Sequence, residues 1–137
     1  MKHAVVYVDG ASRGNPGSAA IGVVFQDEKG RVLKKISLKI GETTNNVAEY
    51  AALVFALQEA VLMRLESLQI FTDSELMAKQ FAGVYKIKEP SLKVLNVFVS
   101  HLRGAFHEVT LTHIPREKNK LADQEANKAL DQEFLFN

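Results

Sequence analysis

The chain has 137 residues, 47% hydrophobic and 24% charged, with a formal charge of only +1, which is the composition of one globular domain with a core of its own. It contains no cysteine; disulfides and thiolate zinc sites are excluded, and any metal must sit on oxygen or histidine nitrogen. So small a net charge neither requires nor forbids a nucleic-acid partner, which would have to be met by a local basic surface.

The first residues, MKHAVVYVDG, lack the apolar run of a signal peptide, and no segment approaches the ~20 apolar residues of a membrane span. A soluble, cytoplasmic chain with no membrane contact is expected. The first forty residues read as three strands: AVVYVD (4–9), AAIGVVFQD (19–27) and RVLKKISLKI (31–40). In the third, Ile36, Leu38 and Ile40 alternate with Ser37 and Lys39 at the strand period. DEKGR is a natural hairpin turn before the third strand, and the first strand is expected to break at Asp9 into the small residues and turn formers of GASRGNPG.

The period then changes. Val47, Tyr50, Val54, Leu57, Val61 and Leu65 recur three or four apart, as one face of a long helix requires, with Thr44 to Asn46 offering N-caps. SLQIFTD (67–73) is a strand that again ends on an aspartate, and SELMAKQFAG (74–83) is a short helix stopped near Gly83. PSLKVLNVFVSHLRG (90–104) has Pro at its first turn and Gly at its end, as helices prefer. HEVTLTHI (107–114) gives a fifth strand and NKLADQEANKALDQ (119–132) a last helix. No repeat, linker or low-complexity tract divides the chain, so residues 1–137 are expected to form a single domain.

This order implies an α/β fold: a mixed five-stranded sheet, three strands antiparallel and two parallel, flanked by helices. In such sheets ligands gather beyond the carboxyl ends of the parallel strands, where Asp9 and Asp73 stand. Two adjacent carboxylates repel and raise one another's pKa unless a cation lies between them. Such a pair serves either acid–base catalysis on a shared proton or the binding of a hard divalent metal. Glu49, three residues after Asn46, also suits a capping box and the helix dipole; Asp123, near the start of the last helix, suits the dipole too.

Taken together, the segments YVDGASRGNPG, TNNVAEYAAL, IFTDSEL and HIPREKNKLADQEANKAL resemble the ribonuclease H family, type 1 branch, across essentially the whole chain. The resemblance implies a ribonuclease H-like catalytic domain in which Asp9, Glu49, Asp73 and Asp123 gather around two Mg²⁺ ions, with Mn²⁺ as a substitute. It implies metal-dependent endonucleolytic hydrolysis of the RNA strand of an RNA–DNA hybrid, leaving a 5′ phosphate and a 3′ hydroxyl, and no obligatory protein partner. A related nuclease that also cuts double-stranded RNA, or a non-catalytic hybrid-binding module, are the alternatives. His113, ten residues before Asp123, matches a family histidine on a mobile loop that carries protons or aids product release.

By the same resemblance Gly10, Ala11 and Ser12 let the backbone approach the RNA strand, where the 2′-hydroxyl is sensed. Asn15, Asn45, Asn46 and Ser74 are candidate contacts to sugars, bases or phosphate, and Thr44 to a phosphate of the DNA strand; Arg13 adds positive charge. Two departures stand out. Glu75 replaces the Gln common after TDS, and VYKIKEP is a short link where some members carry a long basic insertion. Hybrid affinity is therefore expected to be weaker, or to draw on Lys93, Arg116, Lys118 and Lys120. The apolar tail DQEFLFN is expected either to pack back onto the body or to join a partner.

Overall fold

Each change of apolar period becomes a change of element. The computed structural model describes residues 2–136, with side chains described for residues 2–132; the expectation for the apolar end of the tail falls on side chains outside that range. Strands β1 (His3–Gly14), β2 (Gly17–Gln26) and β3 (Val32–Thr43) form an antiparallel meander. There follow α1 (Asn45–Leu62), β4 (Ser67–Thr72), α2 (Glu75–Phe81), α3 (Pro90–Arg103), β5 (Glu108–His113), a 3-10 turn (Arg116–Lys118) and α4 (Lys120–Phe136). The sheet order is β3-β2-β1-β4-β5, with β1/β4 and β4/β5 parallel, as the alternation of late strands with helices requires.

Strand alternation gives the sheet two faces. Ala4, Val6 and Val8 of β1 and Ile21, Val23 and Phe25 of β2 point to one face, where they form the main core with α1. Each large side chain fully buried there contributes about 1.5–3 kcal/mol. Helix α3 covers α1 and buries Leu92 and Val99. On the opposite face Ala11 and Ala20 meet Ala129 and Leu130 of α4.

Local signals explain most boundaries. Thr44 caps α1 by accepting from Val47 N at 3.3 Å, Ser74 caps α2 by accepting from Met77 N at 3.1 Å, and Pro90 opens α3. Asp27 Oδ1 accepts from Lys29 N and Arg31 N at 2.9 Å each, closing the β2–β3 turn with Gly30 at φ +84°.

Two expectations are corrected. Of the expected stripe Val47, Tyr50, Val54, Leu57, Val61 and Leu65, the core takes Tyr50 and Leu57 on α1 and Leu65 just beyond it, with Val47 and Val54 packed at its edge; the stripe also includes Ala52, Leu53, Ala56 and Ala60, while Val61 is 40% exposed. Alanines let the helix axis approach the sheet, and the larger residues beside them fill the flank toward α3. Nor does β1 stop at Asp9. It continues in register with β2 from Asp9↔Gly22 to Gly14↔Gly17, and only Asn15 and Pro16 form the turn. The ladder to β2 satisfies backbone groups that a stretch of small residues, read alone, assigns to a loop.

Candidate active site

Parallel pairing of β1 with β4 runs to Tyr7↔Phe71, so Asp9 and Asp73 emerge two residues further on, side by side. Asp9 lies within the long β1, and Asp73 is the first residue beyond β4. The β4–α2 turn is tight: Thr72 Oγ1 accepts from Ser74 N at 3.0 Å, and Ser74 then caps α2. That geometry leaves Asp73 to face β1.

Glu49 arrives from α1, and glycine permits its approach. A Cβ on Gly10 would lie 2.6 Å from the carbonyl oxygen of Ala48 and closer still to the Glu49 nitrogen. Without it, the first turns of α1 press against β1 and Gly10 N–H donates to Glu49 Oε1. The expected capping box is not formed: the N-cap is Thr44, which leaves Glu49 beyond the first turn and turned toward β1. Asp123 arrives from the opposite face on α4. Here Gly22, the partner of Asp9 in the ladder, is the small residue that admits the helix, because its Cβ would lie 2.6 Å from Ala126 N.

One carboxylate oxygen from each of Asp9, Glu49 and Asp73 lies within 4.8 Å of the other two. All three line one cavity of about 460 Å³ that Asp123 also lines. Asp123 stands outside the tight trio, yet it is close enough to hydrogen-bond the carboxyl of Asp9 and to repel Asp73. Asn127, one helical turn on, donates to Asp123 Oδ1 at 3.2 Å and to its carbonyl at 3.0 Å, fixing its orientation.

Crowding four acids carries a large electrostatic cost. Burial, then the charges of Glu49 and Asp73, push the Asp9 carboxyl up to about 10. Burial pushes Glu49 up to about 7, against the lowering effect of its hydrogen bonds to Asp9 and Gly10 N–H. Asp73 is raised too, mainly by burial, and is restrained by Asn119, Arg116 and His113. Near neutral pH the cluster therefore retains protons that a cation would displace. Three converging carboxylates with no sulfur or nitrogen donor make a set for a hard, oxygen-seeking divalent ion.

Two residues shape this site beyond the expected set. Asn119 is fully buried; its Nδ2 donates to Val8 O at 2.9 Å and its amide also bonds Asp73, while Asp123 N donates to its backbone carbonyl at 3.1 Å. One residue, through its side chain and its backbone carbonyl, thus ties together the elements bearing three of the acids. Arg116, expected only as a general basic contact, lines the acid cavity and lowers both Glu49 and Asp73. A sequence signal existed for Asn119, an amide four residues before Asp123 at the start of a helix, but it specifies a cap rather than a bridge.

The other expected residues divide. Gly10, Ala11, Ser12 and Asn45 line the cavity. Asn15 Oδ1 accepts from Asn45 N at 3.0 Å, joining the β1–β2 turn to the start of α1, where Asn46 also lies, half-buried. The Thr44 and Ser74 oxygens serve as helix caps. His113 stands where the strand reading put it, as the exposed last residue of β5, paired with Thr72, and not on a loop as the family histidine was expected to be. It lines a neighbouring cavity with Glu75 and Lys79 and reaches the acids only through its influence on Asp73.

The topology and its acidic cavity together define an α/β domain of the ribonuclease H type with a carboxylate cluster able to hold a metal ion. A family model described as reverse transcriptase-like matches residues 7–129. Ribonuclease HI of Halobacterium salinarum is 41% identical over 91% of this chain, which spans 63% of that relative's length. The crystal structure of RNase H1 from the same halophilic archaeon superposes with a TM-score of 0.92 at 39% identity, covering 95% of this chain and 98% of that one. LC11-RNase H1, crystallised in complex with an RNA/DNA hybrid, gives 0.91 at 45% identity, covering 96% and 99%. The chain belongs to the ribonuclease H family, on its type 1 branch. That family is metal-dependent, which accords with the carboxylate cluster. No helix among the described residues is long and apolar enough to cross a membrane.

Proposed function

We propose that this chain is an endoribonuclease that hydrolyses the RNA strand of RNA–DNA hybrids, leaving 5′-phosphate and 3′-hydroxyl ends. The observation that carries this reading is the convergence of Asp9, Glu49 and Asp73, from two strands and a helix, on one ion-sized space. Asp9, Glu49, Asp73 and Asp123 would hold two Mg²⁺ ions, or Mn²⁺ in their place. Bound there, such ions supply Lewis-acid stabilisation of the phosphate and a more acidic water.

The chain's own groups do the rest. The buried acids give up their protons to accommodate the ions and then fix the ions' positions. Asn119, Asn127 and Gly10 N–H hold those carboxylates still before substrate arrives. The backbone of Gly10, Ala11 and Ser12 forms a smooth approach for the RNA strand, so that a 2′-hydroxyl can be sensed in the minor groove of the hybrid. Asn45, beside the cavity, and Asn15 and Asn46 near it read sugars or base edges, while Thr44 and Ser74 offer hydroxyl protons to phosphates. His113, exposed at the end of β5, carries protons at the rim or eases product release. A single domain over residues 1–137 carries the whole site, and a cytoplasmic setting fits the absence of cysteine.

Matched hybrid, double-stranded RNA and double-stranded DNA of one sequence, each strand labelled in turn, test this reading. Cleavage confined to the RNA of the hybrid, with 5′-phosphate products, supports it. Equal cutting of double-stranded RNA would replace it with a broader nuclease.

A further inference from the structure

Arg13 is the one basic residue that β1 places on the same face as Asp9 and within the lining of the acid cavity. Residues 9, 11 and 13 alternate onto that face, and Ala11 between them packs on the α4 side. Four residues of strand put Arg13 about 13 Å from Asp9. Its guanidinium is oriented by Asp131 of α4, with Nη2 to Oδ1 at 2.5 Å, while the side chain stays 40% exposed. That ion pair engages one corner of the fork, and an arginine has five N–H donors suited to bidentate capture of an anion.

The surroundings give the charge a purpose. An exposed pair of this kind contributes little to stability, and a polyanion must approach a cavity lined by four carboxylates. Arg116 lowers the acids from their own side of the cavity; Arg13 stands further along β1, past the small residues Gly10, Ala11 and Ser12. We infer that Arg13, oriented by Asp131, is a phosphate clamp that grips the cut RNA strand a few linkages from the scissile phosphate and positions it. This rests on the hydrolytic reading above and adds a contact to it: the strand follows β1, with its scissile phosphate at Asp9 and a downstream or upstream phosphate at Arg13.

The test is steady-state cleavage of an RNA–DNA hybrid by Arg13→Ala, Arg13→Lys and Asp131→Asn, with circular dichroism to verify folding. Arg13→Ala is expected to raise KM about 5- to 10-fold with kcat within about twofold, and to reduce the slope of log(kcat/KM) against log salt by about one. Arg13→Lys should recover part of the loss, because the charge returns without the fork, and Asp131→Asn should show a smaller rise in KM. A set of hybrids bearing a single neutral methylphosphonate at successive RNA linkages completes the test. At one linkage the wild type should fall to the level of Arg13→Ala, and the substitution should then make no further difference. An unchanged KM and salt slope in folded Arg13→Ala would overturn the clamp, as would a loss that persists in full on every methylphosphonate substrate. Absence of cleavage by the wild type would instead overturn the hydrolytic reading itself.

Discussion

Replacing Gly22 by alanine adds one methyl group on the face of β2 that meets α4. The new Cβ would lie 2.6 Å from Ala126 N and nearer still to Ala122 O, both backbone atoms of α4, so no side chain can swing aside. Restoring ordinary contact requires the helix to retreat by roughly 1 Å, an overpacking strain of about 2–3 kcal/mol. For a domain of this size that corresponds to a fall in Tm of about 6–15 °C. The same retreat carries Asp123 away from Asp9, and a displacement of about 1 Å in a catalytic constellation costs on the order of 100-fold in rate. Thermal unfolding by circular dichroism, paired with hybrid cleavage at a temperature where both proteins are folded, measures the two effects. A Gly22→Ala protein with unchanged Tm and unchanged turnover would refute the argument that this glycine sets the α4 spacing and that Asp123 depends on it.

Further outcomes follow from the site. Asp9 has its pKa raised from 3.8 to about 10, mainly by burial, and Glu49 from 4.5 to about 7. Below pH ~3 both are protonated in the folded and unfolded chain; as pH rises, the unfolded chain ionises them first, so metal-free protein should lose stability from pH ~4 upward, through ~7 for Glu49 and up to ~10 for Asp9. Asp27, lowered chiefly by backbone hydrogen bonds from Arg31, acts the other way and costs stability only as pH falls below ~4. Urea unfolding across pH should show this decline, and Asp9→Asn should flatten it. Added Mg²⁺ should offset the decline, by about 2.7 kcal/mol at 100 times its dissociation constant. Asn119→Ala should cost about 1–3 kcal/mol by leaving the Val8 carbonyl unpaired, and should weaken Mg²⁺ binding in a calorimetric titration by more than a distant variant of equal stability does. His113→Ala should slow turnover without abolishing it, so a folded but wholly inactive variant would contradict its place at the rim.

The order of elements and the pairing of Asp9 with Asp73 were readable because they rest on local rules, whereas Glu49 and Asp123 joined the set through family resemblance. Periods of two and of three to four residues separate strands from helices, and parallel neighbours place Asp9 and Asp73 together whatever the details of packing. What escaped the sequence depends on partners distant along the chain. Residues 10–14 look like a loop until β2 supplies their ladder, and Glu49 looks like a cap until Gly10 brings β1 within reach of α1. The α1 stripe was read in part: Tyr50, Leu57 and Leu65 are core, but close approach to a sheet also favours the alanines beside them, and Val61 faces outward. Asn119 carried a helix-start signal, but its bonds to Val8 and Asp73 exist only after β1, β4 and α4 have assembled. His113 was legible as the end of the fifth strand, where the structure has it, whereas the family histidine that it matches was expected on a loop.

The most direct test of the central claim, that distant acids converge to hold divalent ions for phosphodiester hydrolysis, is strand-specific cleavage of an end-labelled hybrid by wild type and Asp73→Asn, with and without Mg²⁺. The wild type should cut the RNA strand only when Mg²⁺ is present, and folded Asp73→Asn should not cut at all. Wild-type turnover by Asp73→Asn, or full cleavage in a chelator, would contradict it.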